Sequence, residues 1–149
     1  MFKFFSKKEE KISVSCDQSK VYQFFGNLLD AIPYPFFYKD KEGKYLGCNK
    51  QFEDFLGRKK SEIVGKTVFE LSPKKLAEIY YQQDNDLFKK GGVQIYESVV
   101  VKKDGTKKDV MFNKAIFFDE KNKPAGMVGV IVDITESKKI EEEVKQKNE

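Results

Sequence analysis

The spacing of apolar residues predicts several helices in the first two thirds of the chain. Over residues 17–32 the apolar side chains recur every three or four positions, which places them on one helix face. Pro33 and Pro35 end this helix, because neither can donate a backbone hydrogen bond. Helical spacing returns over residues 49–57, and a longer apolar face runs through residues 72–90. These patterns indicate a helix-rich region that begins with an amphipathic helix.

Five strands are predicted: a hairpin of two after the first helix, and three in the last third, where the pattern changes to period two. Two short strands flank a turn that ends at Gly43, and three longer strands, rich in β-branched and aromatic residues, fill the last third. Short turn-forming segments join neighbouring strands, so the pairing is antiparallel. The predicted strands cover residues 36–39, 44–48, 93–101, 110–118 and 125–132. The fold class is α+β, with one sheet covered by helices on one face.

The C-terminal segment is highly charged and contains no glycine. Ile140 and Val144 are its regular apolar positions, and a lone helix this polar is marginal in water. We therefore expect it to continue into, or pair with, another helix. Asp133 and Glu136 at its start have the spacing of a capping box. The predicted division is a flexible extension over 1–16, an N-terminal helix over 17–32, a core domain over 33–135 and a linker or signalling helix over 136–149.

Composition narrows the function. The 149 residues are 40% hydrophobic and 35% charged, which fits one cytoplasmic domain with no transmembrane segment. The net charge of +4 is spread along the chain with a single arginine, so no nucleic-acid partner is expected. Cys16 and Cys48 form no disulfide framework or metal motif. Because the chain has no histidine, catalysis that depends on histidine and ligation of metals by histidine are both excluded. We predict no enzymatic activity, and any catalytic output domain would lie outside this chain.

Six short motifs occur in order over residues 28–138. They are Tyr38–Phe52, Phe55–Gly57, Ile63–Lys66, Lys103–Thr106, Gly126–Gly129 and Asp133–Glu136. Together they resemble the successive motifs of PAS domains, especially those that precede bacterial histidine kinases and diguanylate cyclases. The resemblance implies a five-stranded antiparallel sheet, a homodimer formed through the terminal helices, and relay of a two-component-type signal through the last motif. The relay residues are then Asp133, Ile134, Thr135 and Glu136.

The same resemblance implies that a ligand binds between the sheet and the helices. By register with flavin- and haem-binding PAS domains, the residues facing that space are Phe37, Tyr96, Ser98, Val100, Phe112, Lys114, Gly129 and Ile131, opposite Phe52 and Phe55. A slip of one residue would turn every strand position around.

Lys114 is the most specific position in this set, because a lysine that faces an apolar interior needs an acidic partner. One interpretation is a small organic ligand that carries a carboxylate, with Tyr96 and Ser98 as hydrogen-bonding companions. The alternatives are an internal ion pair with one of three acidic residues, or a register error that leaves Lys114 in solvent. The three acidic residues are Glu97, Asp84 and Asp86.

The expected cofactors are few. PAS domains of the LOV type place a cysteine after the motif asparagine, but Lys50 follows Asn49 here, which argues against a flavin–cysteine photocycle. Histidine-ligated haem is excluded, and ligation by Met or Cys stays open. Two other functions also remain: a stand-alone protein that binds an acidic metabolite, and a protein-interaction module with an empty, packed core.

Overall fold

A computed structural model describes residues 17–149, and the predicted extension over 1–16 lies outside this range. In chain order, the elements are α1 (Gln18–Ala31), β1 (Phe36–Asp40), β2 (Tyr45–Cys48), α2 (Lys50–Leu56), α3 (Lys60–Ile63), α4 (Val68–Leu71), α5 (Lys74–Lys90), β3 (Val93–Val101), β4 (Lys107–Phe118), β5 (Pro124–Asp133) and α6 (Thr135–Lys147). Asp17 caps α1 by accepting a hydrogen bond from the Ser19 backbone N–H.

The five strands form one antiparallel sheet in the order β2-β1-β5-β4-β3. The predicted α+β class and the five-stranded antiparallel sheet are therefore confirmed. The first and last strands of the domain, β1 and β5, lie side by side, with Phe37 opposite Gly129 and Lys39 opposite Met127. Because Lys114 of β4 also lies opposite Gly129, positions on β1 and β4 face the same interior across β5.

The two faces of the sheet are covered by different helices. Buried residues of α2, α3, α4 and α5 pack with buried strand residues in one core, which defines the inner face. The terminal helices contact residues of the opposite, outer face. The Phe25 ring of α1 meets the Tyr38 ring edge-on at 6.2 Å, and Lys138 of α6 forms an ion pair with Glu97 at 2.7 Å. Period-two alternation places Tyr38 and Glu97 away from the core.

Asn49 joins three elements at the edge of the domain. Its buried side-chain oxygen accepts hydrogen bonds from the backbone N–H groups of Phe36 and Phe52. Its amide nitrogen donates to the carbonyl oxygens of Leu29 and Tyr34, at 3.0 and 2.8 Å. One side chain thus caps α2 and fixes the chain between α1 and β1.

Candidate functional site

Three charged side chains meet inside the domain: Lys39 of β1, Asp84 of α5 and Lys114 of β4. The Asp84 carboxylate accepts a hydrogen bond from Lys39 Nζ at 2.8 Å on one oxygen and from Lys114 Nζ at 2.6 Å on the other. Both lysines are 2% exposed and Asp84 is 7% exposed. We call this group the charged triad. It links two strands and a helix across the core.

The same periodicities that build the core place the charged triad inside it. Lys39 is two residues after the buried Phe37, and Lys114 is two residues after the buried Phe112, so each lysine shares the inner face of its strand. Asp84 belongs to the buried stripe of α5, which also contains Ala77, Tyr80 and Leu87. The charges therefore occupy positions where the pattern alone would expect apolar residues.

Aromatic rings surround the two ammonium groups. Lys39 Nζ lies 4.7 Å from the ring centre of Tyr45, and Lys114 Nζ lies 4.8 Å from that of Phe112 and 5.0 Å from that of Tyr96. Lys114 Nζ also donates a hydrogen bond to the Tyr96 hydroxyl at 2.8 Å. Cation–π contacts replace part of the hydration that burial removes from the lysines.

The charged triad holds more positive than negative charge when all three groups are ionised, because two ammonium groups share one carboxylate. Burial, reinforced by repulsion from Lys39, lowers the pKa of Lys114 to about 8, although Asp84 opposes the shift. Burial also acts to lower the pKa of Lys39, but Tyr45 and Asp84 outweigh it and raise that pKa. The pKa of Asp84 is lowered, because the attraction of both lysines outweighs its burial. Of the two lysines, Lys114 is thus the one that more readily loses its proton.

Two spaces adjoin the charged triad. An interior cavity of about 30 Å³ is lined by aromatic and aliphatic side chains and by both lysines, Lys39 and Lys114. This volume suits one or two water molecules. A larger cleft of about 190 Å³ opens beside the β1–β2 turn and is lined by Asp84, Phe69, Tyr81 and the buried Met127, among others. Val68 of α4 lines both spaces. Asp84 therefore lines the larger cleft, whereas the two lysines line the interior cavity.

The structure brings most of the predicted ligand-facing residues together. Six of them line the interior cavity and are buried: Phe37, Phe52, Val100, Phe112, Lys114 and Ile131. Phe55 and Ser98 are half-buried and lie outside the cavity lining, while half-buried Tyr96 reaches the site through its hydroxyl. Gly129 is buried beneath the Phe37 ring. Their roles as ligand contacts stay a prediction.

The partner of Lys114 is Asp84, one of the three acidic residues considered from the sequence. The solvent-exposed alternative is wrong, because Lys114 is buried. The alternative pair with Glu97 is also wrong, because Glu97 faces outward and binds Lys138. Sequence reasoning missed Lys39, although its position two residues after Phe37 on the same strand face is the signal that would have found it.

The last motif forms the junction between β5 and α6. The Asp133 carboxylate accepts hydrogen bonds from the Thr135 backbone N–H at 3.0 Å and from the Thr135 hydroxyl at 2.6 Å. The predicted capping box between Asp133 and Glu136 is not formed, because α6 begins at Thr135 and Ile134 occupies its N-cap position. Thr135 Oγ1 instead accepts a hydrogen bond from the Asp109 backbone N–H. The start of α6 is therefore attached to β4.

No group of three or more Cys, Asp and Glu side chains within residues 17–149 is arranged to hold a metal ion. In the same range, no helix combines the length and apolar character needed to cross a lipid bilayer.

Comparison with known proteins identifies the fold. The chain is 28% identical over 120 residues to the aerobic respiration control sensor protein ArcB of Escherichia coli, which covers 80% of this chain and 15% of ArcB. The chain thus spans only a small part of that relative. The PAS domain of Bordetella pertussis BvgS superimposes with a TM-score of 0.67 at 23% identity, over 87% of this chain and 97% of that domain.

The Vibrio cholerae VqmA–ligand–DNA complex also matches, with a TM-score of 0.67 at 22% identity, over 76% of this chain and 50% of VqmA. At these identities, the two structures establish the fold alone. The family model described as PAS fold matches residues 29–139, nearly the whole folded domain. The chain is a member of the PAS fold family of sensory domains.

Proposed function

We propose that the charged triad recognises a small carboxylate-bearing ligand and that this PAS domain reports its binding through α6. The observation that carries the proposal is the unequal charge of a buried site: Lys39 and Lys114 share the single carboxylate of Asp84. An excess buried ammonium is costly unless it is paired or loses its proton. An anion placed between the two lysines would supply the missing charge.

The dimensions of the cavity favour a short ligand. Its volume of about 30 Å³ is too small for a cofactor such as haem or flavin in the present packing. One side of the cavity is formed by the short helix α4, through Val68 and Leu71, and by Ser72 directly after it. Val68 is the single buried residue of this helix. Movement of this segment would enlarge the cavity for an acid of a few carbon atoms.

Strand β4 supplies a direct physical connection from the site to the output helix. Lys114 and Asp109 belong to the same strand, and Asp109 bonds to Thr135 at the start of α6. No residue of α6 is buried, so its displacement need not disturb the core. We infer that a shift of β4 on ligand binding moves the Asp133–Glu136 junction and, with it, α6.

The proposed partners are a second copy of the chain and a signalling output domain. The side chains of Val21, Phe24, Phe25 and Leu28 on α1 are between 46% and 64% exposed, which is a large apolar surface for one helix. A second copy of the chain, paired through α1 and α6, would cover it. The similarity to the sensor protein ArcB supports a role in signalling, and the resemblance to PAS domains that precede histidine kinases and diguanylate cyclases makes either one a candidate output partner.

The experiment measures thermal unfolding of the chain in formate, acetate and propionate at pH 7 and constant ionic strength, with chloride as the reference anion. We expect a dose-dependent rise in Tm for short carboxylates, which is lost in Lys114→Met and retained in Lys75→Met, an exposed lysine on α5. Equal Tm values in chloride and in every carboxylate would contradict the proposal.

A second candidate function is a protein-interaction module without a ligand. The observation that favours it is the dense interior, where Asp84 already bridges both lysines and little space remains. In that case, carboxylates would leave Tm unchanged, and substitutions on α1 would alter assembly alone. Sedimentation of Phe24→Ser together with Leu28→Ser tests the dimer separately from the ligand. A wild-type dimer that becomes a monomer in this variant supports pairing through α1.

A further inference from the structure

We propose that Lys114 captures a short 2-oxo acid covalently, as an imine, with Lys39 holding the carboxylate of the bound acid. This inference rests on the proposed carboxylate site and names the chemical class of its ligand. Lys114 Nζ lines the interior cavity and lies within hydrogen-bonding distance of two groups that exchange protons, the Asp84 carboxylate at 2.6 Å and the Tyr96 hydroxyl at 2.8 Å. Those are the parts that imine formation requires.

The spacing of the two amines defines the ligand. Lys39 Nζ and Lys114 Nζ each bind a different oxygen of the same carboxylate, so they are separated by the span of an O–C–O unit with its two hydrogen bonds. A 2-oxo acid presents a carboxylate directly bonded to a carbonyl carbon. When the carboxylate of such an acid binds Lys39, the adjacent carbonyl carbon lies one bond closer to Lys114 than the carboxylate carbon does. Keto acids with additional carbon atoms between the carboxylate and the carbonyl would place these two groups too far apart for the two lysines.

The two lysines divide their roles by charge. Asp84 neutralises the ammonium group of Lys39, which keeps its proton through its contacts with Asp84 and Tyr45. The carboxylate of the bound acid balances the positive charge of the protonated imine that forms on Lys114. The charged or titratable groups around Lys114 are Lys39 on β1, Tyr45 on β2, Asp84 and Tyr80 on α5, and Tyr96 on β3. The pKa of each of these three tyrosines is raised, chiefly by burial, so they remain uncharged near neutral pH.

The reaction balances without an oxidant or a reductant. The neutral Lys114 amine attacks the carbonyl carbon, a C–N bond forms, and the carbonyl oxygen takes up a proton to give a carbinolamine. Loss of that hydroxyl as water gives the imine. Asp84 is placed to accept the proton that the attacking nitrogen releases and to return it to the carbonyl oxygen. Tyr96 is placed to donate a proton to the leaving hydroxyl, which gives the protonated imine, and it regains that proton from solvent. The net change is condensation of an amine and a carbonyl with release of one water.

The test treats the full chain with glyoxylate and sodium cyanoborohydride at pH 8, followed by peptide mapping. A lysine with a pKa of about 8 holds roughly a hundredfold more neutral amine at this pH than an ordinary exposed lysine. Burial slows access, so we expect reductive labelling of Lys114 to exceed that of exposed Lys75 by roughly tenfold, since nucleophilicity depends on the neutral form. Excess acetate should slow labelling of Lys114 and leave labelling of Lys75 unchanged.

Two variants complete the test. Tyr96→Phe should slow labelling at Lys114 without changing carboxylate-induced stabilisation, because it removes only the donor hydroxyl. Lys114→Met should abolish the rapid labelling at this position. Circular dichroism shows whether the variant folds. If it does not fold, the peptide map of the labelled wild-type chain still tests the proposal. Labelling no faster at Lys114 than at Lys75 would overturn the imine. If acetate still stabilises the protein in that event, the carboxylate site stands, whereas failure of both measurements removes both proposals.

Discussion

The inner and outer faces of the sheet differ in how they use charge and apolar surface. On the inner face, three charged groups are buried and bonded to one another among aromatic rings. On the outer face, apolar residues such as Val93 and Ile95 are 71% and 60% exposed, and α6 is tied to β3 by the exposed ion pair of Lys138 with Glu97. The buried charged triad lies on the inner face, whereas a weak, exposed ion pair holds the terminal helix on the outer face.

This difference indicates that the two faces respond differently to a binding event. Buried charge is sensitive to what binds beside it, because the interior screens charge poorly. A surface-attached helix can shift at small cost, because exposed ion pairs contribute little to stability. This arrangement fits the proposed function, in which binding on the inner face is transmitted to the helix on the outer face. The following substitutions test each half of the comparison.

The largest effect should come from Asp84→Asn. It leaves two buried ammonium groups without a carboxylate, and the expected loss is about 3–5 kcal/mol in the free energy of unfolding. Lys39→Met should cost much less, because it leaves Lys114 and Asp84 as a balanced pair. Urea denaturation at pH 7 measures both, with Asp86→Asn on the same helix as the matched control. Similar losses for Asp84→Asn and Asp86→Asn would contradict the description of the charged triad.

Asn49→Ala should have the next largest effect. The substitution removes the side-chain acceptor of the Phe36 and Phe52 backbone N–H groups and, with it, the cap of α2. Unsatisfied buried groups of this kind cost about 1–3 kcal/mol each. The expected result in urea denaturation is a loss within that range, with faster hydrogen exchange at the Phe36 and Phe52 amides. Unchanged exchange at both amides would show that Asn49 does not hold these elements.

The sequence predicted the architecture well because its signals are local. Period-two alternation located the three long strands, the turn before Lys44 located the two short ones, and the prolines after α1 marked its end. Register with related PAS domains placed Lys114 inside, and the structure buries it there. The charged triad was harder to predict, because Lys39, Asp84 and Lys114 are brought together by tertiary packing of β1, α5 and β4. Sequence offered three acidic partners for Lys114 and no means of choosing among them. The capping box failed because Thr135 competes for Asp133.

The pH dependence of stability should separate Lys114 from exposed lysines. Lys114 releases its proton near pH 8 in the folded state, whereas in the unfolded chain the pKa is 10.5. Between these values, the unfolded chain binds more protons, so the contribution of Lys114 to the free energy of unfolding rises with pH. In the variant Lys114→Met this rise should be absent, while Lys75→Met should retain it. Parallel curves for the wild type and Lys114→Met from pH 7 to pH 10 would refute the shift.

The smallest effect should come from Lys138→Met on the outer face. Loss of its ion pair with Glu97 should change the free energy of unfolding very little, because both side chains are substantially exposed. Its consequence should instead appear as faster amide exchange in α6, with unchanged exchange around Lys114. Lys139→Met, also on an exposed position of α6, is the control. A global loss of stability in Lys138→Met would mean that α6 is part of the core.

The excess charge of the inner face can be measured directly by carbon NMR of protein labelled at the lysine Cε atoms. We predict that one lysine resonance titrates near pH 8, is missing from the spectrum of Lys114→Met, and moves to a higher pKa when acetate is added. If every lysine titrates near its ordinary pKa of about 10.4 and acetate moves none of them, no buried lysine is destabilised by an excess charge that a ligand could balance, and the central claim is contradicted.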